Sequence, residues 1–408
     1  MSDAARVIER CRELATITDV AGETTRTFLS TAMRRANDLV STWMTELGLS
    51  VTTDNAGNLR GVRTAAHADA KTLVLASHLD TVPNAGAFDG PLGVLMALAV
   101  VQRLGDTQLP FHVQVIAFSE EEGVRFGAPF LGSRALAGTL DDMLLGRTDS
   151  HGIAAREAIR RYGLDVADLA SAVLQRPLAY LEFHIEQGPA LESEGLPLGI
   201  VETIAGQSRY ELIFTGQANH AGTTPMPLRH DAMAAAAAWI AEVERVATTT
   251  ATLVATVGSV QTVPGIGNVI AGEVRATLDV RSPIDTTRED AVAHLLEFAV
   301  QCGAQRGVTV ATSLRMQQAA VPMDRDLLSL LEDAVTTAGV PVRRMTSGAG
   351  HDAMAVASHM PAAMLFLRSP GGISHHPDED VLPADVQLGL DAGLAFVHAL
   401  AAREATRA

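Results

Sequence analysis

A histidine and an aspartate with one residue between them, His78-Leu79-Asp80, follow the apolar run Leu73-Val74-Leu75-Ala76 after a single serine, Ser77. Such a run suits a strand buried on both faces of a parallel sheet. The edge where such strands end is where open α/β sheets place their ligands. Side chains two apart in extended chain share a side, so Asp80 can hold the His78 imidazole while its other nitrogen meets a metal. Phe88-Asp89-Gly90 follows in a loop, before an apolar helix over 94–101. A second apolar strand, 113–118, runs into Glu120-Glu121-Glu122-Gly123, and a third, 179–186, carries His184. His375 lies in the glycine-flanked loop 371–379.

Each feature has a plain structural reading. His-x-Asp pairs usually make ordinary hydrogen bonds, and acidic triplets after strands are mostly solvated turns. Their recurrence at successive strand ends, with glycines beside two of them, points to a site. The candidate ligands are His78, Asp89, Glu122, His184 and His375. One carboxylate shared between two ions, with two further ligands on each, gives a two-metal site with open positions. Glu121, beside a ligand but itself free, is the natural general base for water activated there. His376 is an alternative to His375, and Glu120 leaves the register of base and ligand open by one position.

The elements that must position these residues follow from length and pattern. A chain of 408 residues exceeds what one core usually serves, and 47% hydrophobic content allows ample burial. Aromatics are only 4%, so the cores rest on Ala, Val, Leu and Met. A net charge of −16 disfavours nucleic acid or an anionic membrane as partner. Cys11 and Cys302 lie far apart in helical patterns and suggest a reducing compartment without a disulfide framework. The first residues lack a basic flank and an apolar signal core, and no apolar run reaches membrane-spanning length, so a cytoplasmic location is expected.

Residues 3–16 and 31–47 read as amphipathic helices, followed by βαβ units. Near Gln207 the pattern changes to strand 209–215, helix 230–246, strands 252–260 and 273–280, helix 286–306 and strand 308–314. That β-α-β-β-α-β order is the ferredoxin-like arrangement. After Pro322 the alternation of helix and strand resumes, with strands expected at 340–345 and 362–367 and a closing helix from 384. The expected architecture is therefore α/β: a mixed-sheet catalytic domain split in sequence (1–206 and 321–408), with an inserted α+β domain (207–320).

Six stretches occur in order: His78-Leu79-Asp80-Thr81-Val82-Pro83, Phe88-Asp89-Gly90, Glu121-Glu122-Gly123-Val124-Arg125-Phe126, His184-Ile185-Glu186-Gln187-Gly188-Pro189, Ala218-Asn219-His220-Ala221-Gly222-Thr223-Thr224-Pro225-Met226 and Ser374-His375-His376-Pro377. Together they resemble the amidase/hydantoinase/carbamoylase branch of the dinuclear-zinc aminoacylase and carboxypeptidase superfamily, over nearly the whole chain. That branch holds N-carbamoyl-L-amino-acid hydrolases, β-ureidopropionases and allantoate amidohydrolases. The resemblance implies a metallopeptidase-like catalytic domain, an inserted lid that dimerises, and hydrolysis of a terminal ureido group to ammonia and carbon dioxide.

It further implies that His78, Asp89 and His184 bind one ion and Asp89, Glu122 and His375 the other. Zinc, manganese, cobalt and nickel can all fill such mixed N/O sites. Asp80 and Glu121 would serve catalysis. Gln187 would face the ureido group, and His220 would polarise its carbonyl oxygen in the partner subunit's site. Asn268 and Arg281 would hold the substrate carboxylate, with backbone at Gly350 completing that pocket. For Arg281 the plainer reading is a salt bridge with Asp279 or Asp285, for His220 a loop hydrogen bond, and for Asp352 a helix cap. A dipeptidase or aminoacylase, and a silent ureide-binding protein, are the competing functional readings.

Overall fold

A computed structural model describes residues 2–407. The chain divides into two compact units, Met1–Glu202 with Met323–Ala408, and Thr203–Pro322.

The larger unit is built on a mixed sheet. Its strands run in the order Ser50–Thr53, Leu59–Arg63, His112–Phe118, Thr72–His78, Pro177–Ile185, Ala362–Leu367 and Leu198–Ile204, with Arg344–Ser347 beside the last. The four central strands are parallel, and their neighbours on either side are antiparallel. Those central strands are buried almost throughout, which is why they read as continuous apolar runs. Helix Pro91–Leu104, likewise apolar on nearly every side, crosses from Thr72–His78 to His112–Phe118. The third strand, Pro177–Ile185, lies on the other flank of Thr72–His78. The sheet therefore has a switch point between these two strands, where a crevice opens above their carboxyl ends.

Register aligns those ends. His78 pairs with Phe118, and Phe366 with His184, so four strand termini and the loops after them meet at one edge. Helices Arg325–Thr337 and Pro383–Arg407 pack on each other and on strand Ala362–Leu367, and helix Asp3–Ala15 packs on Pro91–Leu104 and Pro383–Arg407. Ser2, Ser30 and Asp324 each cap a helix by accepting a backbone N–H from its first turn.

The smaller unit keeps the expected β-α-β-β-α-β plan, with the first strand after its first helix divided in two and a short pair, Asn219–His220 with Val269–Ile270, added. Antiparallel strands run Val260–Val263, Glu273–Ser282, Gly206–Thr215 and Thr309–Gln318, with Val254–Thr256 also on Glu273–Ser282. Helices Ala232–Thr249 and Asp285–Ala304 pack on this sheet. Trp239 anchors that core, fully buried, its indole N–H donating to Leu295 O at 3.1 Å. The alanine-rich stretch is a helix because alanine loses no side-chain entropy there.

Two strand expectations need correction. The strand expected at 340–345 is Arg344–Ser347, because Pro341 has no N–H to give a ladder. The strand expected at 252–260 is two short ones, Val254–Thr256 and Val260–Val263, with Gly258 between. Among the described residues no helix is long and apolar enough to cross a membrane.

Candidate metal centre and active site

His78 ends its strand and His184 is the penultimate residue of the neighbouring one. Each ring is fixed from behind. His78 Nδ1 lies 3.0 Å from Asp80 O, and His184 Nδ1 lies 2.9 Å from Ile185 O. A carbonyl only accepts, so each Nδ1 carries the hydrogen and the neutral ring presents a bare Nε2. Burial pushes the His184 imidazole down to about 4, so it is neutral near pH 7. The two Nε2 atoms face each other at 3.4 Å, and Asp89 Oδ1 lies 3.3 Å from that of His184 and 3.9 Å from that of His78. Two lone pairs and a carboxylate oxygen thus converge as acceptors, an arrangement that fits a divalent cation.

The second oxygen of Asp89 faces another group. His375 Nε2 lies 3.2 Å from Asp89 Oδ2 and 3.6 Å from Glu122 Oε1. The residues therefore form two triads that share Asp89: His78, Asp89 and His184, and Asp89, Glu122 and His375. The hydrogen bond to Asp89 raises the His375 imidazole to about 9 against its partial burial. Burial opposes the charge on Asp89, but the His375 hydrogen bond and the nearby imidazoles hold that carboxyl below its usual range.

Glu121 Oε2 stands 3.9 Å from His78 Nε2. Burial first, then the charge of Glu122 and of further acids, pushes Glu121 well above the usual carboxylate range, which raises its appetite for a proton. Glu120 points elsewhere. Its Oε1 accepts the N–H groups of Arg125 and Phe126 at 3.0 and 3.2 Å. The structure thus sets Glu122 at the second triad, Glu121 at the first, and Glu120 in the turn. His376 is exposed and lies 3.6 Å from Asp378, outside both triads.

Three non-glycine residues of this edge adopt the left-handed region: Glu120 at φ 53°, Gln187 at 60° and His375 at 57°. Each such residue costs about 1–3 kcal/mol and persists only because its surroundings impose it. Gly90 shows the same demand with a steric one added. Its φ is 87°, and a Cβ there would sit 2.4–2.7 Å from the ring atoms of His78.

Asp80 plays a different part from the one its spacing suggested. Its backbone carbonyl, not its carboxylate, is the hydrogen-bond partner of His78, and the carboxylate oxygen lies 3.7 Å from Nδ1. The strand ends at His78, so the two side chains no longer alternate as in extended chain. The Asp80 carboxylate instead accepts Glu121 N at 3.1 Å and Glu122 N at 3.0 Å, holding the acidic loop in place. Asp352 also departs from expectation: it stands at the cap position of helix Ala353–Val356 but makes no capping bond. Buried Glu182, on the His184 strand, accepts Ala353 N at 3.0 Å instead. Gly350 lies against Phe130, whose ring would be 2.9 Å from an added Cβ.

In the smaller unit, His220 and Asn268 come together. Asn219–His220 pairs with Val269–Ile270, and Ala221 N donates to Asn268 O at 2.9 Å. His220 is exposed, and its Nδ1 accepts Gly222 N and Thr223 N at 3.0 and 3.2 Å. That leaves the hydrogen on Nε2, an outward donor. Arg281 lies on the long strand Glu273–Ser282, and its fork grips Asp279 through Nε and Nη2 at 3.1 and 2.9 Å.

Comparison with known proteins bears on this geometry. The family model described as Peptidase family M20/M25/M40 matches residues 74–399. The chain belongs to that family. Within this M20 family it is similar to N-carbamoyl-L-amino acid amidohydrolase from Geobacillus stearothermophilus, 39% identical, covering 96% of this chain and 97% of the relative. It is 38% identical to allantoate deiminase 2 from Glycine max, covering 96% and 89% respectively. An amidase of the hydantoinase/carbamoylase family from Burkholderia multivorans superposes with a TM-score of 0.91 at 35% identity, over 98% of this chain and 97% of that one. The aminopeptidase PepT from Bacillus cereus, at 18% identity and a TM-score of 0.68, shares the fold alone. The M20 chain thus lies with the hydantoinase/carbamoylase branch.

Sequence reasoning about this M20 member missed several supporting residues. Arg26 is fully buried and grips the carbonyls of Leu79, Leu14 and Ile17 at 2.8–2.9 Å, behind the His78 loop. Glu379 and Ser374 stand behind Asp89. Arg26 and Glu379 left no signal in type or spacing, because each acts through backbone groups that only the fold brings near; Ser374, within the Ser374-His375-His376-Pro377 stretch, acts through its hydroxyl.

Proposed function

We propose that this enzyme hydrolyses the terminal ureido C–N bond of a small ureido acid, an N-carbamoyl-L-amino acid or allantoate, with release of ammonia and carbon dioxide. The observation that carries the reading is the pair of ligand triads sharing Asp89, with buried Glu121 alongside. The named activities of relatives aligned over nearly the whole chain supply the bond type.

His78, Asp89 and His184 would hold one ion, and Asp89, Glu122 and His375 a second, drawn from Zn, Mn, Co or Ni. Bound there, divalent ions supply Lewis acidity that acidifies water and polarises a carbonyl. Glu121, whose Oε2 stands 3.9 Å from His78 Nε2, would take the proton of the attacking water and deliver it to the leaving nitrogen. Asp80 keeps Glu121 in place through the backbone of its loop. Gln187, whose amide donates to Asp89 Oδ2 at 2.9 Å, would turn to the ureido group when substrate is bound.

Residues 203–322 would form the lid and the homodimer contact. Support comes from their edge strands, where Val254, Val260 and Val263 are exposed. His220, with its outward Nε2–H, would stabilise the developing oxyanion in the partner's site. Asn268, Arg281 and the Gly350 backbone would hold the substrate carboxylate. The buried, free thiols of Cys11 and Cys302 are in keeping with a cytoplasmic enzyme.

An ammonia-release screen across allantoate, 3-ureidopropionate and several N-carbamoyl-L-amino acids tests the reading. Turnover of at least one is expected. Hydrolysis of dipeptides or N-acyl amino acids, with none of these ureido acids consumed, would sink it.

A further inference from the structure

We propose that Glu379 is a positioning residue for Asp89, and that through Ser374 it also sets the loop carrying His375. The proposal rests on the two-ion reading of the site. Glu379 is only 5% exposed. Its Oε1 accepts the N–H of Phe88 at 2.8 Å and of Asp89 at 2.9 Å. Its Oε2 lies 3.2 Å from Ser374 Oγ, and that hydroxyl also lies 3.1 Å from Asp89 Oδ2. One carboxylate thus grips the backbone of the shared ligand with one oxygen and reaches the residue beside His375 with the other. Ser374 has a single hydrogen to give, so its hydroxyl is shared between the two carboxylates.

Glu379 is not itself a ligand, because its Oε1 is spent on two backbone donors and it belongs to neither triad. The consequences of losing it are unequal. His78 and His184 sit on strand ends, each with its own carbonyl partner. Glu122 and His375 sit on loops, and their geometry toward Asp89 depends on the tie between the 88–90 turn and the 374–379 segment. Removing Glu379 should therefore weaken the second ion and spare the first. A glutamine should serve nearly as well, since its carbonyl oxygen can take both N–H groups while its NH₂ donates to Ser374 Oγ. An independent route to the same displacement exists at Gly86, where a Cβ would lie 2.4 Å from Glu379 Cβ and 2.6 Å from Oε1.

The test is titration of the full-length metal-stripped chain with Mn²⁺, followed by calorimetry and by the spin-coupled signal of a paired site. Wild type should take two ions. Glu379→Ala should weaken the second about 10–100-fold, as loss of a partner behind a ligand typically does. The first should stay within about threefold, and the coupled signal should vanish at stoichiometric loading. Glu379→Gln should stay close to wild type, and Gly86→Ala should follow Glu379→Ala. Thermal melting of the metal-free proteins monitors folding. If Glu379→Ala does not fold, Gly86→Ala and Ser374→Ala carry the measurement, each with the second ion weakened. Unchanged affinity for both ions, equal loss at both, or a Gln variant as weak as the Ala variant overturns the role of Glu379 alone. A wild-type chain that binds fewer than two ions overturns the two-ion reading, and the proposal with it.

Discussion

The two triads of the candidate metal centre are built from different materials. His78 and His184 come from adjacent parallel strands, are almost wholly buried, and have their tautomers set by backbone carbonyls one or two residues on. Glu122 and His375 come from loops. The His375 side chain is 48% exposed, its backbone is left-handed, and its imidazole is held by Asp89. The first half is preorganised by the sheet itself. The second depends on strained turns and on the residues that brace them, so it should be weaker, more pH-sensitive and easier to disturb.

The largest expected effect lies outside that contrast and calibrates it. Glu121→Gln should keep both ions yet lower turnover by about 10²–10⁴-fold, the usual worth of a positioned general base, with loss of the proton shuttle adding to it. Metal analysis beside steady-state kinetics checks this. If Glu122→Gln gave that phenotype and Glu121→Gln lost metal, the roles of the two neighbours would be reversed.

The ligand substitutions divide the halves directly. His184→Ala removes one of two strand-end imidazoles and leaves Asp89 facing His78 alone. It should cost the first ion more than about 100-fold in affinity, beyond what losing a mere supporting partner does. His375→Ala should cost the second ion comparably while the first remains bound. Mn²⁺ titration of the two variants reads both constants, and a loss of both ions in His375→Ala would mean that the halves are one cooperative site.

How much of this was legible beforehand follows the same division. The continuous apolar strands and the His-x-Asp that ends one of them placed His78 at the sheet edge, and a second such strand placed His184. Backbone-mediated supports left no trace. Nothing in the spacing shows that Asp80 gives its carbonyl to His78 and its carboxylate to the acidic loop, or that Glu182 rather than Asp352 serves the helix at Ala353. The register of Glu120–Glu122 was ambiguous because it turns on one left-handed residue, Glu120, which a sequence does not announce.

Proton competition should sharpen the contrast further. His375 is raised to about 9, and Glu122 is pushed well above its usual range, chiefly by burial. An ion at the second triad must displace those protons, so its affinity should fall as pH drops below about 9, by about tenfold per unit for each proton released. His184, lowered to about 4, is already neutral over that range and predicts a much flatter response at the first triad. Calorimetric titrations at pH 6.5, 7.5 and 8.5 would show the difference. Parallel slopes for the two ions would contradict the distinction.

The smallest effect concerns the other unit, where the comparison is between a residue that is committed and one that is poised. His220 presents an outward donor, whereas the Arg281 fork is already engaged by Asp279. If Arg281 binds the substrate carboxylate, Asp279 competes with it. A half-exposed ion pair is worth about 0–1 kcal/mol, so relieving it changes an equilibrium by at most about fivefold. Asp279→Asn keeps the shape and removes the charge, and should lower KM for ureido acids by up to that factor with kcat little changed. Arg209, which also donates to Asp279 at 2.9 Å, loses the same partner. Arg209→Ala therefore serves as the control, removing that side of the interaction without freeing Arg281. A KM that rises in Asp279→Asn would mean that Asp279 orients Arg281 for the substrate rather than competing for it. A KM unchanged there and in Arg281→Ala would place the carboxylate contact elsewhere.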